Sequence, residues 1–155
     1  MEEDSKEIAR FLDAKKAGLY TILFICTGNA VRSQMAEALV NHFLEDKWAA
    51  FSAGIIPMEV NKNVIRVLNE IGIDISDKQT KSVELFAQCN FDLIITLCSD
   101  ADKFCTVYPS DIPKIHFPFR DPAISFFIGF SSVSAYRDLR DEMREKIIGF
   151  LKEIE

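Results

Sequence analysis

The stretch Thr21-Ile22-Leu23-Phe24-Ile25-Cys26-Thr27-Gly28-Asn29-Ala30-Val31-Arg32-Ser33-Gln34-Met35-Ala36-Glu37 decides the fold. The apolar run over 20–26 reads as a central parallel strand, buried on both faces. Residues 26–33 read as a tight loop, and 32–45 as a helix with Met35, Leu39, His42 and Phe43 on one side. Strand, loop and helix in this order place backbone N–H groups and the Arg32 guanidinium where a tetrahedral oxyanion can sit. Gly28 and Asn29 tolerate the positive φ angles that turn amides inward. A positive field of this kind activates a thiol as a nucleophile, and Cys26 stands at the start of the loop. The candidate anion-binding residues are Thr27, Gly28, Asn29, Ala30, Val31, Arg32 and Ser33, with Ser33 also placed to hydrogen-bond the thiolate.

Working outward, strands and helices alternate. A second strand is expected near 49–53, ended by Gly54. A helix follows over 60–71, stopped by Gly72, and a short helix over 82–89. A third strand spans 91–97 and a short fourth 113–117. A long closing helix covers 132–153, with Val133, Tyr136, Leu139, Met143, Ile147, Phe150 and Leu151 inward. The fold class is α/β: a three-layer, four-stranded parallel sheet with helices on both faces. Residues 1–18 form an N-terminal helical extension, with a helix over 3–16 apolar at Ile8, Phe11 and Leu12 that braces the surface or, alternatively, meets a partner. Residues 19–155 form the single main domain.

Bulk properties narrow the function. A chain of 155 residues is long enough for one sizeable core. A net charge of −6 without a basic stripe argues against nucleic acid as the main partner. No apolar run approaches the roughly 18–20 residues of a membrane span. The acidic start lacks the regions of a signal peptide, so a cytoplasmic protein is expected. Of the four cysteines, Cys26, Cys89, Cys98 and Cys105, none forms a C-x-x-C pair, and the two histidines lie far from them. Zinc, and a bound metal in general, is not expected. In a domain of this kind, catalysis or redox exchange is the better default for the thiols. Cys89 reads as structural.

In a parallel sheet, ligands bind at the carboxyl ends of the strands. Cys26 closes the first strand, Cys98 the third, and Asp121 follows the fourth. An oxyanion loses an oxygen only if that oxygen is protonated as it leaves, so the Asp121-Pro122 loop supplies the candidate acid. Cys98 and Cys105 stand seven apart. A hydrolase needs neither, whereas a reductase needs thiols that supply two electrons and finish as a disulfide. Seven helical residues rise about 10.5 Å, yet a disulfide holds its Cα atoms within about 7 Å. Bonding the two therefore requires a helical segment to unwind, giving a helical reduced form and a looped oxidised form.

These residues resemble the thioredoxin-coupled arsenate reductases, which share the low-molecular-weight tyrosine phosphatase fold. The resemblance covers about residues 19–153. It rests on Cys26-Thr27-Gly28-Asn29, Arg32-Ser33-Gln34-Met35-Ala36-Glu37, Ser52-Ala53-Gly54, Gly72-Ile73-Asp74-Ile75-Ser76, Thr96 to Asp102, Cys105 and Asp121-Pro122-Ala123. Phosphatases of this fold usually carry Pro where Gln34 stands and Tyr where Ala123 stands. The resemblance implies a relay: Cys26 attacks arsenate, Asp121 protonates the departing oxygen, Cys98 attacks Cys26, and Cys105 attacks Cys98. Thioredoxin then reduces the Cys98–Cys105 bond. The substrate is the arsenate oxyanion, no cofactor is bound, and a monomer is expected.

Val31 stands where many members carry a further cysteine that is not one of the relay thiols. Asn29, Glu37 and Ser52 match ligands of a potassium site found in some members, but Lys81 falls where a carboxylate would be. An ammonium there would replace the ion and pair with Glu37, which implies no potassium dependence. Two other readings stay open: a phosphatase acting on phosphotyrosine or small phosphoesters, and a non-catalytic anion-responsive or redox-sensing module. The Phe126-Phe130 cluster is expected to pack under the last helix or the N-terminal helix, with an exposed apolar patch for a partner as the alternative.

Overall fold

The computed structural model describes residues 2–103, 108–109, 111–123 and 132–155. Cys105 and the Ile124–Phe130 cluster lie outside the described residues. Four parallel strands form one sheet: β1 (Tyr20–Cys26), β2 (Trp48–Gly54), β3 (Leu93–Thr96) and β4 (Lys114–His116). Their order is β2-β1-β3-β4, so β1 is central and its carboxyl end falls at the switch point of the winding. The expected α/β architecture is the one observed. No helix among the described residues is long and apolar enough to cross a membrane.

Alternation along β1 splits the interior in two. Ile22 and Phe24 face a core built with Met35, Leu39, Val64, Leu68, Leu139 and Ile147. That side carries α2 (Arg32–Phe43), α3 (Lys62–Asn69) and α5 (Ser132–Met143), whereas the short α4 (Ser99–Lys103), between β3 and β4 in sequence, turns Ala101 to the other side. Leu23 and Ile25 face the second core, with Phe51, Phe86, Phe91 and Ile94. Here α1 (Glu2–Lys16) does more than brace a surface. Phe11 packs edge-on to Phe91 at 4.9 Å and to Phe51 at 5.8 Å. The residues of α1 that go inside are Glu7, Phe11 and Ala14, while Leu12 is exposed.

Several boundaries move for local reasons. The helix expected from residue 60 starts at Lys62, because the Asn61 side chain accepts from Asn63 N at 2.8 Å and caps it. The segment over 82–89 is only a 3₁₀ turn, Val83–Phe86, capped by Ser82. β3 begins at Leu93 because Asp92 turns its carboxylate to Thr21 N at 2.7 Å. His42 is exposed, outside the buried side of α2. The closing helix is interrupted by a π turn, Arg144–Ile148, before α6 (Gly149–Ile154). The extra residue in that turn lets Ile147, Ile148 and Leu151 all face inward.

Two contacts generate predictions. Arg137 and Arg140 of α5 both bond Glu70 at the end of α3, at 2.7 and 2.9 Å. The Arg137 bonds hold the Glu70 carboxyl down, from 4.5 to about 2; burial opposes the shift, and Arg140 adds to it. A depressed carboxyl contributes stability that is present above about 4.5 and lost as pH falls through about 2. Glu70→Gln should lower the melting temperature at neutral pH, and the gap to wild type should close across that window in thermal melts. At the end of β2, a Cβ on Gly54 would lie 2.7 Å from Asn29 N and 2.8 Å from Gly28 C. Gly54→Ala must push backbone aside, at a cost of about 1–3 kcal/mol. Chemical denaturation should show that loss, and inorganic phosphate should bind the variant more weakly.

Candidate active site

The loop between β1 and α2 is held by its carbonyls. Cys26 O accepts from Ile55 N at 3.3 Å, Thr27 O from Ile56 N at 2.9 Å, Gly28 O from Met58 N at 2.9 Å and Ala30 O from Asn61 N at 3.0 Å. The segment 55–61 thus takes up the carbonyls on the outer side and leaves the loop's N–H groups as the polar groups available to the inner one. Asn29 adopts φ 53°, the left-handed region that asparagine tolerates. The residue before α2 is Val31, which makes no side-chain cap, and the first turn holds no acid. The helix therefore leaves its first amides and the positive end of its dipole for an anion.

Cys26 is 2% exposed at the end of β1. Its Sγ lies 2.9 Å from Ser33 Oγ. Ser33 Oγ also accepts from Asn29 Nδ2 at 2.8 Å, which leaves the hydroxyl proton for a thiolate. Arg32 donates from Nη1 to Phe119 O at 3.2 Å, and Nη2 lies 3.7 Å from Asp121 Oδ2. Its Nε is buried without a partner among the described residues, a donor that an oxyanion would satisfy. Asp121 is oriented by its own turn, with Oδ1 accepting from Ala123 N at 3.0 Å. Nearby, Tyr136 is shifted up, first by burial and then by the charge of Asp121, against a hydrogen bond with Asn61.

One cleft of about 500 Å³ gathers Cys26, Thr27, Gly28, Ala30, Val31, Arg32, Cys98 and Asp121. Asn29 and Ser33 are fully buried, and their side chains hold the loop from beneath. Cys98 Sγ lies 3.3 Å from Thr27 Oγ1 and accepts from Ala101 N at 3.4 Å, at the head of α4. Helix α4 starts one residue after Cys98 and is described as far as Lys103. Cys89 is buried in the second core, and burial pushes its thiol up, as suits a structural residue. Lys81 is 4% exposed, and its Nζ lies 3.1 Å from Glu37 Oε1, which also accepts from Ser52 Oγ at 2.7 Å.

Sequence reasoning missed the wall formed by Met58, Glu59 and Asn61. Met58 Sδ would lie 3.0 Å from a Cβ on Gly28, so this segment covers the loop closely. Its one sequence signal is the apolar Ile55-Ile56-Pro57-Met58 after Gly54, too long for a turn and exposed at Ile56 and Met58. The arrangement can seat a tetrahedral anion, attack it with sulfur and hold a carboxyl beside the departing group.

Residues 21–155 match the family described as low molecular weight phosphotyrosine protein phosphatase. An arsenate reductase of Bacillus cereus (strain 03BB102) is 42% identical over 130 residues, covering 84% of this chain and 92% of that protein. Among solved structures, an arsenate reductase in the phosphate binding state superposes with a TM-score of 0.76 at 25% identity, covering 88% of this chain and 100% of that one. A low molecular weight protein tyrosine phosphatase from T. tengcongensis superposes with a TM-score of 0.68 at 27% identity, covering 86% and 99%. The chain therefore belongs to the low molecular weight phosphotyrosine protein phosphatase family, with arsenate reductases among its relatives.

Proposed function

We propose that this protein reduces arsenate to arsenite with three cysteines in relay, and that thioredoxin returns it to the reduced state. The observation that carries the reading is a second thiol on the nucleophile's own cleft. Cys98 opens onto the cavity that holds Cys26, Arg32 and Asp121. A phosphatase of this fold resolves its adduct with water and has no use for that thiol. The similarity to arsenate reductases over most of the chain supports the same reading. So does the cleft wall: among the described residues no aromatic side chain lines it to stack on a phosphotyrosine ring.

Arsenate sits on the loop amides and the Arg32 guanidinium. The Cys26 thiolate attacks arsenic while Asp121 gives a proton to the departing oxygen, which leaves as water. Cys98 then attacks the Cys26 sulfur. The sulfur–arsenic bond breaks with its electron pair left on arsenic, which becomes trivalent and departs as arsenite. The two thiols are now a Cys26–Cys98 disulfide. Cys105 attacks Cys98 and frees Cys26, and the dithiol of thioredoxin reduces the resulting Cys98–Cys105 bond. A fully helical 98–105 segment would keep its ends too far apart, so moving the disulfide away from the loop calls for an unwound segment.

The same reading includes a protein that needs no potassium. Lys81 supplies the positive charge beside Glu37, and its pairing at 3.1 Å supports this. Replacing sodium by potassium at constant ionic strength should leave both turnover and melting temperature unchanged; a clear rise in either would overturn this part.

Arsenate reduction is read as NADPH oxidation coupled through thioredoxin and thioredoxin reductase. Wild-type protein should turn over many times and Cys26→Ser not at all. Cys98→Ser and Cys105→Ser should each stop multiple turnover. Continued catalytic reduction by both would rule out the relay. Rapid aryl phosphate hydrolysis without arsenate turnover would move the chain to the phosphatase reading.

A further inference from the structure

Lys81 joins more of the active-site loop than its pairing with Glu37 suggests. Its ammonium also lies 3.2 Å from Glu7 Oε1, on the helix that precedes the sheet. The other oxygen of Glu7 accepts from Arg10 Nε at 2.8 Å. The titratable groups packed here are thus two carboxylates, Glu7 and Glu37, and two cations, Lys81 and Arg10, a balanced set. Burial pushes the Glu7 carboxyl up, but Arg10 and then Lys81 outweigh it and hold it below the usual range, so it is ionised. An ammonium this deeply buried is tolerated only where its protons meet such acceptors.

The main chain of Lys81 is bound to the loop as firmly. Its N–H donates to Asn29 Oδ1 at 2.8 Å, and its carbonyl accepts from Gly54 N at 2.8 Å. Asn29 is the loop residue with a positive φ, and its amide donates to Ser33 Oγ, the hydroxyl on the Cys26 sulfur. A continuous chain of contacts therefore runs from α1 through Lys81 and Asn29 to the nucleophile.

We propose that Glu7 and Lys81 form an internal bridge that makes α1 a working support of the oxyanion loop, with Lys81 a positioning residue and Glu7 acting through it. The bridge rests on the reading of residues 26–33 as an oxyanion seat. It gives the helix before the sheet a role in substrate affinity, although that helix touches no part of the cleft. Glu7 sits beneath the loop, so its loss acts on how tightly the loop amides are aimed.

Inorganic phosphate, titrated by calorimetry into the full chain, separates this from two simpler effects. Deleting a negative charge near an anion site should tighten phosphate if charge alone acts. A role confined to stability would shift the melting temperature and leave affinity in the folded protein unchanged. The bridge requires the opposite sign: Glu7→Ala should weaken phosphate by roughly fivefold, in the range of coupling between packed sites. Glu7→Gln, which keeps the shape of the side chain, should weaken it less and serves if the alanine variant does not fold. In a Lys81→Met background, Glu7→Ala should add no further loss, since the residue it acts through is gone. Unchanged or tighter phosphate binding in the Glu7 variants would overturn the inference, as would an equal loss with and without Lys81. Wild-type protein that takes up no phosphate would instead remove the oxyanion-loop reading, and the bridge with it.

Discussion

The structure depends on one constraint: the residues between β1 and α2 must turn their amides to one side. An unassisted chain does not hold such a conformation, because it places a non-glycine residue at positive φ and strands carbonyls on the other side. Here the stranded carbonyls find partners in residues 55–61, and Asn29 takes the unfavourable dihedral. The absence of a side chain at Gly54 lets the loop lie directly on β2. Apart from Asn29, these supports lie outside the loop, and without them the motif would be an ordinary connection between a strand and a helix.

The same constraint explains why so many polar groups are buried beneath the loop. Asn29, Ser33, Gln34, Glu37, Ser52 and Lys81 are nearly excluded from solvent, in a region where apolar packing would be the ordinary choice. Most of them hold one another. Gln34 Nε2 reaches Asn29 Oδ1 and Gln79 O, at 3.2 and 3.1 Å. A polar network of this kind gives up some hydrophobic stabilisation and gains directionality, since hydrogen bonds have preferred angles and dispersion contacts do not. Stability comes chiefly from elsewhere, from the two apolar cores on either side of β1.

Helix α1 shows where periodicity reading stops. Leu12 was assigned to its apolar side, yet Leu12 is exposed and Glu7 is buried. Pattern reading places a carboxylate on the solvent side by default, and it has no means of seeing Lys81, seventy-four residues away, as the partner. The short helix expected over 82–89 failed for a related reason, since one capping serine and four residues of turn satisfy the backbone there. By contrast, the parallel sheet was legible because β1 and β3 are almost wholly apolar, as strands buried on both faces are.

By itself the sequence determined the strand–loop–helix unit, the parallel α/β class and the choice of Cys26, Arg32, Cys98 and Asp121 as candidates, which the structure brings to one cleft. These follow from local patterns: apolar runs, turn residues and reactive groups at strand ends. The pairing of Lys81 with Glu37 was also legible, through the resemblance. What the tertiary structure alone decided was how the loop is held. The carbonyl ties to residues 55–61, the closeness of Gly54 and the arrival of Glu7 at Lys81 are contacts between distant segments. They carry no periodic signal, because a hydrogen bond constrains the positions of two atoms in space and leaves the spacing of their residues along the chain free.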